Sequence, residues 1–314
     1  MISYTLRDDY IQAYPFFQIF DKDHFFSHTL KDEAISYRND PSKTVEGKVL
    51  NKLIEELIEE LKTKRTYPIS TLTNFIILKQ RDYDPASCTG LIIVKFKDYP
   101  FVVKLFIKTP QTLALPFFES FESNIFYIMG GGVNRFFSGF TRIKNLDAIR
   151  KRIATSPYWS RVLDTPRKWF WYSPKARWLD ITGKNIGNKP YQHIEIPATY
   201  GLICDAIESD ALFSLWDNDQ CSLALKLCDF FQSRIDAHID NYMYEKQTGL
   251  MLIVDSEHFP SMVGLRSPMK YTSYWSWFAQ LSWKCFSDKC LQSKSQRRRL
   301  QQDLEPVLGY TITD

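Results

Sequence analysis

Between residues 50 and 61 the apolar side chains Leu50, Leu53, Ile54, Leu57, Ile58 and Leu61 recur at steps of three and four. Glu55, Glu56, Glu59 and Glu60 fall on the opposite face, and Lys62, Lys64 and Arg65 follow at the end where the helix dipole favours cations. The spacing predicts an amphipathic helix, with Asp40-Pro41 upstream read as its cap and first-turn proline. The stripe lasts too few heptads for a coiled coil, so this helix is expected to pack on a domain.

From about residue 73 the period shortens. Phe75–Leu78, Leu91–Phe96 and Phe101–Ile107 are short β-rich runs, with Asp98-Tyr99-Pro100 as a tight turn between the second and third. Three consecutive antiparallel strands are expected, then a helix over Pro116–Ile128. Gly130-Gly131-Gly132 could form an anion nest, but its place after a helix favours a stop and flexible joint. A basic helix around Ala148–Ile153 and the aromatic run Trp169-Phe170-Trp171-Tyr172 then read as an insertion or an elaborated strand pair. Tyr200–Cys204 reads as a buried strand and Leu223–Phe231 as a buried helix, while Tyr271–Leu304 mixes aromatic and charged residues at helical spacing.

The chain has 314 residues, enough for a sizeable core, and 44% hydrophobic with 24% charged residues describes a folded protein. Its 23 Phe, 17 Tyr and 8 Trp argue against global disorder and add a potential protein-binding face. A net charge of +4 is too small to make nucleic acid the expected partner, and the run Arg297-Arg298-Arg299 reads as a solvated helix face. The six cysteines form no C-x-x-C pair, which disfavours zinc and redox motifs and fits a reducing compartment. No secretory signal and no membrane-length apolar run is visible, so a cytoplasmic protein without a transmembrane segment is expected. Export into another cell by a signal-less route stays open.

The chemistry concentrates in Asp236-Ala237-His238-Ile239-Asp240-Asn241 and, after the apolar run Leu250–Val254, in Asp255-Ser256-Glu257-His258-Phe259. An Asp five residues before an Asn, then a second Asp at a strand end, is the order phosphoryl transfer needs. One carboxylate orients the acceptor hydroxyl, and an amide and a carboxylate hold Mg²⁺ on the phosphates. The bland alternative is a polar turn between a helix and a hairpin. His238 has no H-x-x-x-H or cysteine partner to support a metal role, and no G-x-S-x-G points to an α/β-hydrolase.

The first segment resembles the D-x-H-x-x-N catalytic loop in atypical branches of the protein-kinase-like superfamily: phosphoinositide kinases, HipA-type kinases and aminoglycoside phosphotransferases. The second is similar to the D-F-G-x-F of the phosphoinositide kinases, with Ser256-Glu257 standing in for Phe-Gly. The resemblance implies Asp236 as the catalytic residue and Asn241 and Asp255 as Mg²⁺ ligands. Val102-Val103-Lys104 resembles the family's V-A-I-K strand, making Lys104 the residue for the ATP α- and β-phosphates, with Lys108 the alternative. Its carboxylate partner is expected on the next helix, where Glu119 and Glu122 both qualify; Glu122 has the closer spacing. No G-x-G-x-x-G joins the first two strands, so backbone amides and the hydroxyls of Ser87 and Thr89 are the expected phosphate contacts in that loop.

These readings combine into an α+β chain with a two-lobed protein-kinase-like fold. Residues 1–70 form a helical N-terminal extension. Residues 71–208 form the N-lobe, with an insertion at about 130–190, and residues 209–314 a mostly helical C-lobe. The expected activity is Mg·ATP-dependent phosphotransfer, first to a protein Ser or Thr, second to a phosphoinositide lipid or small alcohol. A pseudokinase scaffold or an AMP-transferring kinase fold is the alternative from a different class.

Overall fold

The computed structural model of the chain describes residues 2–5, 20–107, 136, 139–175, 177–183, 192–210, 212–231, 235, 237–257, 273–277 and 279. Helices and sheets are mixed in an α+β arrangement. β1 (Ile2–Thr5) and α1 (Lys22–Ser27) come first, then the paired strands β2 (Ala34–Ser36) and β3 (Thr44–Glu46) and the long helix α2 (Gly47–Thr63). β4 (Phe75–Asp84), β5 (Thr89–Phe96) and β6 (Phe101–Ile107) follow as consecutive antiparallel neighbours. Next come α3 (Arg142–Ala154), the single turn α4 (Trp159–Val162), β7 (Leu163–Asp164) and β8 (Lys168–Tyr172). β9 (Trp178–Gly183), β10 (Gln192–Pro197) and β11 (Thr199–Asp205) precede the helix α5 (Asn218–Phe230). A 3₁₀ turn (Ile239–Asn241) then leads into the hairpin β12 (Tyr242–Tyr244) and β13 (Met251–Ile253).

The main sheet has five antiparallel strands in the order β4-β5-β6-β11-β8. β11 therefore enters between β6 and β8, although it follows both in sequence. Alternation along β6 sends Phe101, Val103 and Leu105 to one face, where they meet Leu50, Ile54, Leu57 and Leu61 of α2. Each of these four α2 side chains is at most 1% exposed, and full burial of such a group contributes about 1.5–3 kcal/mol. The predicted stripe is thus the buried one.

Its start is not where the sequence placed it. Asp40-Pro41 lies in a turn closed by Lys43 N–H to Asp40 O at 2.9 Å, and residues 44–46 pair with 34–36 before the helix begins. Gly47 opens the helix because its N–H donates to Glu33 O at 2.9 Å, and a Cβ there would collide with the Lys31 carbonyl oxygen. Hairpin pairing outcompetes the local capping signal.

On the other face of the sheet, Phe106, Phe170, Tyr200, Leu202 and Cys204 pack with Phe20, Phe25, Phe136, Phe140 and Ile143. Tyr200 stacks between Phe106 (4.8 Å) and Phe140 (4.1 Å). A further core joins Ile149 and Ile153 of α3 to Ala224, Leu227 and Cys228 of α5 and to Ile239, Tyr242, Met251 and Ile253. α3 therefore touches both cores, through Ile143 at its start and Ile153 near its end. Among the described residues, no helix is long and apolar enough to cross a membrane.

Candidate functional site

The hairpin β12–β13 sets Asn241 and Asp255 just beyond the same end of its ladder. Tyr242 pairs with Ile253, and the Val254 N–H donates to the Asn241 carbonyl at 3.0 Å, so the two residues flank the same end of one ladder. Asn241 also closes the 3₁₀ turn, its N–H donating to His238 O at 2.9 Å. His238 caps that turn through Nδ1, which accepts from the Asp240 N–H at 3.4 Å. Burial lowers the His238 pKa, and Arg81 and Lys79 of β4 lower it further against the opposite pull of Asp240. This places β4 within electrostatic reach of the turn.

Asp255 is the centre of the site. Its Oδ2 accepts from Lys104 Nζ at 2.8 Å, across 151 positions of sequence. Its Oδ1 accepts from Arg142 Nη1 and from the Glu257 N–H at 3.1 Å. Burial alone would raise its pKa, but Arg142, Lys104 and Lys168 hold the carboxyl well below the usual carboxylate range. Lys104 reaches it because the β6 alternation puts its side chain on the face away from α2.

Three further side chains complete the cluster. Arg142, the first residue of α3, is only 2% exposed and gives Nη2 to Glu257 Oε2 at 2.8 Å. Burial disfavours its charge, whereas Asp255 and Glu257 restore it and raise the pKa overall. Lys168 begins β8, opposite Cys204, and donates to Ser256 Oγ at 2.7 Å. Ser256 Oγ in turn donates to Arg142 O at 2.8 Å, and Asn145 Nδ2 donates to Ser256 O at 2.8 Å. The first turn of α3 is thereby fastened to residues 255–257. Burial drops the Lys168 ammonium to about 8 and pushes the Cys204 thiol up.

Asn241 and Asp255 offer the hard oxygen ligands that Mg²⁺ takes, so the donor chemistry fits that ion. Both Asp255 oxygens already accept from cationic groups, and a metal there would share the carboxylate with Lys104 and Arg142. Ser87 and Thr89 sit at the β4–β5 turn. Ser87 Oγ donates to Asp84 Oδ2 at 2.5 Å and lies 2.8 Å from Thr89 Oγ1. Arg65 Nη1 donates to Ala86 O at 3.1 Å, tying this turn to the segment just beyond α2, and neither hydroxyl joins the Asp255 cluster. Asp236, Lys108, Glu119, Glu122 and the glycines at 130–132 lie outside the described residues. Within those residues, the carboxylate that holds Lys104 is that of Asp255.

Sequence reasoning missed Arg142 and Lys168. Period two from Lys168 through Phe170 to Tyr172 would have put the lysine on the same face as a core aromatic. Arg142 carried no comparable signal, because its role depends on α3 docking against a segment more than a hundred residues away. Comparison of the chain with protein-family models, curated proteins and solved structures gave no match.

Proposed function

We propose that the chain is an ATP-dependent phosphotransferase of the protein-kinase-like superfamily, two-lobed, acting first on a protein Ser or Thr. The observation that carries this reading is the 2.8 Å contact between Lys104 Nζ and Asp255 Oδ2. Motif resemblance had selected both residues separately as the phosphate lysine and the metal carboxylate. Chance pairing of those two, among 40 basic and 36 acidic residues, is the competing account. The sheet order adds weight, because a kinase N-lobe also places its fifth strand between the third and fourth. A connector from Asp205 to α5, then the catalytic-type turn and a hairpin that leads into Asp255, follows the kinase order.

In this proposal Lys104 holds phosphate oxygens and Asp236 orients the acceptor hydroxyl. Asn241 and Asp255 would hold Mg²⁺, which neutralises charge on the phosphates. Val102 and Ile93 share the Lys104 face of the sheet and offer an apolar bed for the adenine. A second reading, a nucleotide-binding scaffold, is favoured by Arg142, a buried second cation on the carboxylate that a metal would need. Parallel incubations with γ- and α-labelled ATP and Mg²⁺ or Mn²⁺ test the proposal. Phosphotransfer predicts acceptor or self-labelling from the γ position only. Label from the α position would make the chain an AMP transferase, and label from neither position would contradict enzymatic transfer and leave the scaffold.

A further inference from the structure

The charges around Asp255 do not cancel. Lys104, Arg142 and Lys168 contribute three positive charges against the carboxylates of Asp255 and Glu257, an excess of one among the described residues. Two of the cations are deeply buried, at 2% for Arg142 and 6% for Lys168, so water screens them weakly. The first turn of α3, the positive end of a 13-residue helix, is fastened to the same segment through Ser256. Arg142 Nε is buried without a hydrogen-bond partner. Lys104 and Asp255 are the partly open members, at 15% and 18% side-chain exposure. An ammonium has three N–H donors, and Lys104 gives one to Asp255.

An approaching divalent cation therefore meets a carboxylate whose charge is already offset by three cations. An approaching polyanion meets the excess. We propose that this cluster takes up the polyphosphate chain of a nucleoside triphosphate without a divalent cation, Lys104 contacting the phosphate oxygens while Arg142 and Lys168 supply, from beneath, charge that a metal would otherwise bring. This inference rests on the nucleotide-site reading above and specifies how that site holds its ligand. Metal then serves transfer and is not required for capture.

The test is calorimetric titration of the full chain with ATP and with sodium tripolyphosphate, in EDTA and in Mg²⁺, at low and moderate salt. The expected result is binding in EDTA within about tenfold of the Mg²⁺ value, weakening as salt rises. Lys104→Gln and Arg142→Gln should each lower the EDTA affinity tenfold or more, and Asp255→Asn should raise it, since that change removes the negative charge that contacts Lys104. Should Arg142→Gln fail to fold, Lys104→Gln, at a partly exposed side chain, decides alone. ATP binding that requires Mg²⁺ would overturn this inference and leave the phosphotransferase proposal standing. Unchanged EDTA affinity in Lys104→Gln would also overturn it, and no ATP binding under either condition would overturn both.

Discussion

Lys168 shows how much one residue's surroundings decide. Its ammonium is 94% removed from water, given 6% exposure, and hydrogen-bonds to a neutral hydroxyl in place of a carboxylate. Burial lowers its pKa from the ordinary 10.5 to about 8. Below about pH 8 the lysine is charged in both folded and unfolded chains, and the desolvation penalty is constant. Between about 8 and 10.5 the unfolded chain binds the extra proton, so stability rises with pH, with a slope approaching about 1.4 kcal/mol per pH unit for one proton. Lys168→Met, of similar length and without a charge, should remove that rise. Urea unfolding of both proteins at half-unit steps from pH 8 to 9.5 measures it. Parallel stability profiles for the two would show that Lys168 is not the desolvated cation described.

At the scale of elements, the segment from α1 to β3 acts as a strap across the molecule. Residues 28–30 pair with the outer edge of β8, through Leu30 N–H to Phe170 O at 2.7 Å and Phe170 N–H to His28 O at 2.9 Å. Arg38 then reaches the β12–β13 hairpin and its neighbour β7, with Nε to Glu245 Oε1 at 2.8 Å and Nη2 to Asp164 Oδ2 at 2.5 Å. Glu245 is fully buried, so its charge depends on Arg38 and on Thr248, whose hydroxyl donates at 2.7 Å. Removing the arginine strands that carboxylate, which typically costs about 3 kcal/mol or more. Arg38→Ala should therefore lower the unfolding free energy measured by denaturant titration by that amount, and adding Glu245→Gln should recover part of the loss. A loss within about 0.5 kcal/mol, the usual range for a surface change, would mean that the strap does not bear on the hairpin.

The elements also divide into those the sequence displays and those it hides. The α2 stripe and the alternation of β6 are local, and each follows from the spacing of a few side chains. The onset at Gly47 is not local, because it depends on pairing of residues 44–46 with 34–36 and on contact with the Lys31 carbonyl. β8 belongs to the main sheet, yet Lys168–Tyr172 is an aromatic run whose neighbours are set by β11, about thirty residues later. At the site, Lys104 and Asp255 were singled out by family resemblance, and the structure brings those two side chains into contact at 2.8 Å. Arg142 and Lys168 were not singled out, since their contribution is electrostatic and arises from packing.

At the scale of the whole molecule, both faces of the five-stranded sheet are covered, one by α2 and the other by the aromatic cluster around Tyr200. α2 takes the face of β6 that carries Phe101, Val103 and Leu105, and Lys104 lies on the opposite face, partly open at 15% side-chain exposure. α3 couples the sheet to the core beneath the β12–β13 hairpin, so Asp255 sits where the two packed regions meet. The proposed phosphotransfer uses that convergence, with Lys104 from β6 and Asp255 from beyond β13 meeting at 2.8 Å.

The central claim is that Lys104, facing Asp255, lies beside the phosphates of bound ATP. An acyl-phosphate derivative of ATP transfers its acyl group to an amine next to the phosphate chain, and peptide mass spectrometry locates the product. The account predicts acylation of Lys104, suppressed by excess unmodified ATP, with much less label on Lys168 behind Asp255. ATP-protected label on other lysines, with Lys104 untouched in the folded protein, would contradict it.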